Sequence, residues 1–216
     1  MQKKYTFLSI AAVFAGIIGY VAYRTRRVPT PKNNWKRFDS KGNTPINSSV
    51  AQHLQGIYFI EEGKHFFGEN AVAKWTYTGD NEKRIHQLSL FCEKEGRYII
   101  CEGRQEGNKI LLQGHWRKAA ANGTGNVQLI VTNHKIDDGV LMPQKPQEKI
   151  NISGFFGNGD KEADEPLHFV FMEPLPKNNS LQIIGHRGGC RNVDFLPVSE
   201  NSVEMLKMAA SLGATG

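Results

Sequence analysis

The residues best equipped for chemistry lie near the C-terminal end. Leu181-Gln182-Ile183-Ile184 is a short apolar run suited to a buried strand, and it stops abruptly at Gly185-His186-Arg187-Gly188-Gly189. Glycine on both sides of His-Arg lets the backbone turn sharply at a strand end and lets a phosphate approach closely. There Arg187 can grip phosphate oxygens through two parallel hydrogen bonds, and His186 can move a proton near neutral pH. A loop then runs to Ser199-Glu200-Asn201-Ser202, where a helical pattern begins. Val203, Leu206, Ala209 or Ala210, and Leu212 fall on one face of it, and Gly213 is a fitting stop. Asn201, with Glu204 three residues later, has the spacing of a helix-capping pair. The segment is thus one strand, one loop with reactive side chains and one helix.

These blocks resemble the start of the catalytic domain in the glycerophosphodiester phosphodiesterase family. That domain opens with an apolar strand, then Gly-His-Arg-Gly, then a Pro-Glu-Asn-Thr-like tetrapeptide and a helix ending Leu-Gly-Ala-Asp-Gly. Here they read Ile184-Gly185-His186-Arg187-Gly188, Ser199-Glu200-Asn201-Ser202 and Leu212-Gly213-Ala214-Thr215-Gly216, with Ser199, Ser202 and Thr215 departing from the family's Pro, Thr and Asp. The resemblance implies a TIM barrel that hydrolyses glycerophosphodiesters with a divalent cation, Ca²⁺ or Mg²⁺, with the site at the C-terminal ends of the strands. It makes His186 the catalytic acid/base residue and Arg187 the catalytic phosphate ligand. Glu200 becomes a nearby carboxylate that orients them or the metal site, and Asn201 a substrate-side residue or a helix cap.

No metal ligand is assigned, because the family's Glu-x-Asp pair belongs on the second strand, after the Leu-Gly-Ala-Asp-Gly block. A TIM barrel takes about 200–250 residues, and only 181–216 are available for it. The chain therefore reads as the N-terminal part of a longer enzyme of lipid metabolism, inactive by itself. Phospholipases of related barrel type use the same residue kinds, so the headgroup substrate stays open, as does the oligomeric state.

The elements before this unit are strands. Period-2 patterning predicts eight of them, at 56–61, 71–78, 85–92, 97–102, 109–117, 126–132, 149–156 and 167–172, separated by turn signals such as Glu95-Gly96 and Asn122-Gly123-Thr124-Gly125. Short strands joined by hairpin-length turns predict an antiparallel barrel or sandwich over 50–176, which resembles the calycin-type barrels, lipocalin-like or avidin-like. The fold class expected is mainly β, with an incomplete TIM barrel after it.

A barrel of this size can enclose a small apolar ligand, for which Trp75, Tyr77, Phe91, Tyr98 and Trp116 are the candidate lining, or its aromatic residues can simply be core. A non-catalytic ligand-binding barrel is the alternative function. His53, His65, His86, His115, His134 and His168 are scattered without metal-ligand spacing. Cys92 and Cys101 flank a turn and are expected as free thiols. The acidic run 160–165 lacks calcium-loop spacing and reads as a solvated loop.

Composition bounds the remainder. The 216 residues carry 27 Lys plus Arg against 21 Asp plus Glu, a net charge of +6. Residues 1–37 hold eight of those bases and no acid, which leaves the rest at −2 and argues against a nucleic-acid partner. Residues 5–23 are uncharged and apolar, and as a helix they would just span a hydrocarbon core of about 30 Å. The expectation is a single-pass anchor with basic flanks over 1–27, attracted to anionic lipids; the side of the body stays open, with the positive-inside rule leaning toward the cytoplasm. Linkers are expected at 28–49 and 177–180.

Overall fold

The computed structural model describes residues 12–22, 31, 35–78, 85–119, 121–137, 140–175, 199, 201–211 and 214, with the side chains of residues 48, 77, 78, 85 and 86 left aside. Its centre is a closed antiparallel barrel of eight strands. These are β2 (Gly56–Glu62), β3 (Asn70–Thr78), β4 (Ile85–Cys92), β5 (Arg97–Glu106), β6 (Lys109–Lys118), β7 (Thr124–Thr132), β10 (Asn151–Phe156) and β11 (Glu165–Glu173). Each pairs with the next in sequence, and β11 pairs with β2 to close the ring. All eight expected strands are present, and the choice between barrel and sandwich falls to the barrel.

Smaller elements decorate it: a two-residue β1 (Thr44–Pro45) against β5, helices α2 (Ser48–Gln52) and α3 (Lys64–Phe67), and a hairpin of β8 (His134–Asp137) and β9 (Val140–Pro143) inserted after β7. Further along lies α4 (Val203–Ser211).

Alternation decides what fills the tube. Across β3 and β4, Ala73 is opposite Leu90 and Trp75 opposite Leu88, and all four are buried. Across β6 and β7 the inward pairs are Ile110 with Val131 and Leu112 with Leu129, again buried. Gly103 makes room for Trp75, whose ring lies 2.7 Å from where a Cβ would stand. A Cβ on Gly114 would overlap the Ile100 carbonyl oxygen of the neighbouring strand.

Both ends of the tube are closed by the chain itself. At one end α3 inserts two phenyl rings between the strands: Phe66 stands 4.8 Å from Trp116 and 5.0 Å from Phe156, and Phe67 is 5.0 Å from Phe156. Positive φ values at Gly63 (89°) and Gly68 (97°) turn the chain into and out of this single helical turn. The Arg97 guanidinium lies 4.2 Å over the Phe66 ring and donates to the Phe66 carbonyl at 2.8 Å. At the other end α2, begun by Asn47 accepting the Ser49 N–H at 3.1 Å, buries Val50, Ala51 and Leu54. The Tyr58 hydroxyl donates to the Leu54 carbonyl at 2.9 Å, tying that helix to β2.

Several expectations change. Trp75 and Trp116 point inward, but Phe91 is 44% exposed and pairs with Tyr98 on the outer surface, so the five aromatics do not line one cavity. The cysteine expectation holds: Cys92 and Cys101 are free thiols, both buried, with Cys101 opposite Leu88 and Cys92 four residues away along β4. Part of the stretch expected as a linker is docked: Phe38 and Ile46 are buried, and Arg37 pairs with Glu106 at 2.7 Å.

The single-pass anchor is corrected. Among the described residues no helix is long and apolar enough to cross a membrane. The helix in that region, α1, is described over residues 12–22, and the rest of the expected span lies outside the described residues. Within the strand–loop–helix unit, α4 alone is described and no TIM-barrel unit is shown. Its buried face is Met205, Met208 and Ala209, whereas Val203 and Leu206, expected on the packed face, are 61% and 58% exposed.

Removing a plug ring tests this packing. Phe67→Ala is expected to destabilise the barrel by about 3–5 kcal/mol in urea unfolding, since the vacated space is walled by aromatic rings that cannot collapse into it. A loss under about 1 kcal/mol would mean that α3 does not seal the barrel.

Candidate functional site

Of the four residues to which the sequence assigns chemistry, His186, Arg187 and Glu200 lie outside the described residues. Asn201 is described and exposed, with a φ of 57°. Ser202, not Asn201, caps α4: its Oγ accepts the Met205 N–H at 3.0 Å and donates to the Ser199 carbonyl at 2.8 Å. Asn201 supplies the left-handed turn just before the cap, a conformation that asparagine tolerates better than most residues.

The described residues concentrate their buried polar groups on the outer wall of the barrel. Register places Thr76 beside Gln87, Ile100 between Ser89 and His115, His115 beside Asn126, and Tyr98 beside Arg117, all facing away from the core. An outward polar face is ordinary in an antiparallel barrel, but a buried one is not. Thr76 and Arg117 are 1% exposed and Ser89 2%, whereas the apolar Val72 on the same wall is 40% exposed.

Some of this burial has a visible cause. The loop after β10 folds over β7: Asn126 Nδ2 donates to the Lys161 carbonyl at 3.1 Å, and the Gly157 N–H donates to the Asn126 carbonyl at 2.9 Å. At β3 the wall is covered by α4. The buried side-chain oxygens of Thr76, Gln87 and Gln113 find no hydrogen-bond partner among the described residues.

Electrostatics follows from the cover. Burial, and then the adjacent Arg117 charge, hold the His115 imidazole below the usual histidine pKa. Burial does the same to His134, against the raising effect of its 2.9 Å contact between Nε2 and the Asn108 carbonyl. The remaining described histidine side chains are held singly: His53 Nδ1 is 2.7 Å from the Ser49 carbonyl, His168 Nδ1 2.8 Å from Glu61, and His65 3.8 Å from Glu165.

Burial pushes the Cys92 thiol up to about 12 and the Cys101 thiol upward as well, so neither is a nucleophile at neutral pH. Among the described residues, no three or more His, Cys, Asp or Glu side chains stand close enough to hold a metal ion. The divalent cation implied by the family resemblance therefore has no ligand set there, and no chemical step is routed through it.

No family model, curated protein or solved structure matches this chain. The fold and the polar wall are accordingly understood from the chain's own residues. Sequence reasoning misses the wall because Gln87, Ser89, Gln113, His115 and Arg117 alternate with apolar residues as a solvated face would. The one local clue is that Gln113, His115 and Arg117 follow one another at alternate positions of a single strand.

The depressed histidines predict a pH dependence. Their folded pKa lies below the unfolded value near 6.5, so the unfolded chain binds more protons as pH falls through about 6.5 and stability drops with it. The thermal unfolding midpoint is expected to decline between about pH 7 and pH 5.5, with a shallower decline in His115→Gln. An identical slope in the variant would show that His115 is not held neutral by its surroundings.

Proposed function

We propose that this chain carries the phosphate-binding opening of a glycerophosphodiester phosphodiesterase, with the eight-stranded barrel as an accessory domain. The observation that carries the reading is the order of three blocks, Gly185-His186-Arg187-Gly188, Ser199-Glu200-Asn201-Ser202 and Leu212-Gly213-Ala214-Thr215-Gly216. The start of α4 at Val203, directly after the Ser202 cap, supports it, because the tetrapeptide is expected to lead straight into a helix.

In this reading His186 gives or takes the proton as water replaces the alcohol on phosphorus, a contribution of about 10²–10⁴-fold to rate. Arg187 holds two phosphoryl oxygens and offsets the charge that grows on them. Glu200 orients the pair, and Asn201 shapes the entrance to the helix. The substrate class is a glycerophosphodiester or a related lipid headgroup, and the product alcohol leaves with a phosphomonoester remaining.

The alternative, a barrel that carries a small apolar ligand, has less support. Its interior is occupied by Tyr58, Trp75, Phe156 and Phe169, all buried, and α2 and α3 close the two ends. That packing favours a supporting role for the barrel.

The test uses the protein in which residues 181–216 are continued by the remaining strands of the catalytic barrel, assayed on glycerophosphocholine with Ca²⁺ or Mg²⁺. His186→Ala is expected to lower kcat/KM by about 10²-fold or more. Wild-type turnover from that variant removes the proposed chemistry.

A further inference from the structure

We propose that α3 is a latched lid on one mouth of the barrel: it opens about Gly63 and Gly68 while the eight strands stay paired, and the turn between β4 and β5 is its latch. The first argument is the hinge. The four residues of α3 lie between Gly63 at φ 89° and Gly68 at φ 97°, backbone angles that glycine enters and leaves at little cost. The helical turn closes its hydrogen bonds on itself. The Phe66 and Phe67 N–H groups donate to the Gly63 carbonyl at 3.0 and 2.9 Å, and the Gly68 N–H donates to the Lys64 carbonyl at 3.0 Å. The pairing of β2 with β3 stops at Phe59 opposite Asn70, with one further bond from the Ile60 N–H to the Glu69 carbonyl at 2.8 Å. Opening α3 therefore leaves that ladder intact.

The second argument is the latch. One turn, Lys94–Gly96, with Glu93 and Arg97 on either side of it, holds the lid through side chains. Lys94 Nζ donates to the His65 carbonyl at 2.5 Å, and Arg97 donates to the Phe66 carbonyl at 2.8 Å with its guanidinium over the Phe66 ring. The Glu93 carboxylate accepts the Glu69 N–H at 3.2 Å, and Glu95 steadies Arg97 at 2.8 Å. These charge-assisted bonds can be released without unpairing a strand.

The third argument is what lies beneath. Phe66 and Phe67 rest on Trp116 and Phe156, and the Trp116 indole N–H already donates to the Gly157 carbonyl at 2.8 Å. The slot under the lid thus has aromatic walls, and its one indole N–H keeps its partner when the lid leaves. Phe66 and Phe67 are the chain's own occupants of that slot, and an apolar group entering this mouth competes with them. The lid is an autoinhibitory contact, and it rests on none of the phosphodiester chemistry.

The two buried thiols of the barrel read the opening. Cys101 is opposite Leu88, and the register carried one step past the Phe91–Tyr98 pair sets Cys92 beside Arg97, two inward layers nearer the lid. The full chain is treated with N-ethylmaleimide, and the labelled peptides are followed by mass spectrometry. Cys92 is expected to label at least about tenfold faster than Cys101, because a local opening is populated more often than the unfolded barrel. Arg97→Met is expected to speed Cys92 about tenfold more, the worth of one charged hydrogen bond, with Cys101 unchanged. Amide exchange at Phe67 and Gly68, followed by NMR, should quicken in parallel. Arg37→Met, which breaks the pair with Glu106 at the far end of β5, should leave every rate as it is.

Equal labelling of Cys92 and Cys101 in the wild-type chain overturns the proposal, since α3 then opens only with the barrel. So does an unchanged Cys92 rate in a folded Arg97→Met chain. Faster Cys92 labelling with Phe67 and Gly68 exchange unaltered assigns the motion to the β4–β5 turn instead, and overturns it too.

Discussion

Antiparallel pairing of β11 with β2 is the constraint on which the rest of the molecule depends. It turns a meander into a tube, pairs every barrel strand on both sides and obliges every inward side chain to find its partners within one small volume. The closure is tight where the last strand meets the first. A Cβ on Gly56 would overlap the Phe171 ring, so β2 begins with the one residue that lets β11 lie against it. Register shifts between His168 and Phe169 and between Phe171 and Glu173 absorb the mismatch between the two strands.

Filling the tube then dictates the smaller elements. A closed ladder is open at its ends, and water entering there would reach backbone and side chains chosen for a dry interior. The α3 turn answers with Phe66 and Phe67, and α2 with Val50, Ala51 and Leu54. Polar contacts hold α3 from outside: Lys94 Nζ donates to the His65 carbonyl at 2.5 Å, Arg97 holds Phe66, and Glu95 in turn holds Arg97 and Lys118 at 2.8 and 2.6 Å. Those ion pairs are half-exposed and add little by themselves; their use is to fix the orientation of Arg97 over the ring.

The sequence shows these features unequally, for physical reasons. Strand positions are legible because alternation is local: Trp75, Leu88, Leu90 and Leu112 announce their faces within a few residues. Closure is not legible, because it depends on Gly56 meeting Phe171 from the far end of the domain. The β8–β9 hairpin is four residues a side, and α3 is one turn, too short for either periodicity to register. In α4, Val203 and Leu206 are as apolar as Met205 and Met208, so pattern alone could not choose the buried face. The blocks around His186 and Glu200 are legible as sequence motifs. The polar wall is not, since Ser89 and Arg117 differ from solvated residues only in being covered.

Cys92 and Cys101 carry a consequence of this architecture beyond packing. Both thiols sit in the filled interior, are not opposite one another, and have little thiolate at neutral pH. Disulfide exchange and peroxide oxidation both proceed through an accessible thiolate. The folded barrel is therefore indifferent to the redox poise around it: neither oxidising nor reducing surroundings can form or break a covalent link between these two cysteines without first unfolding the domain.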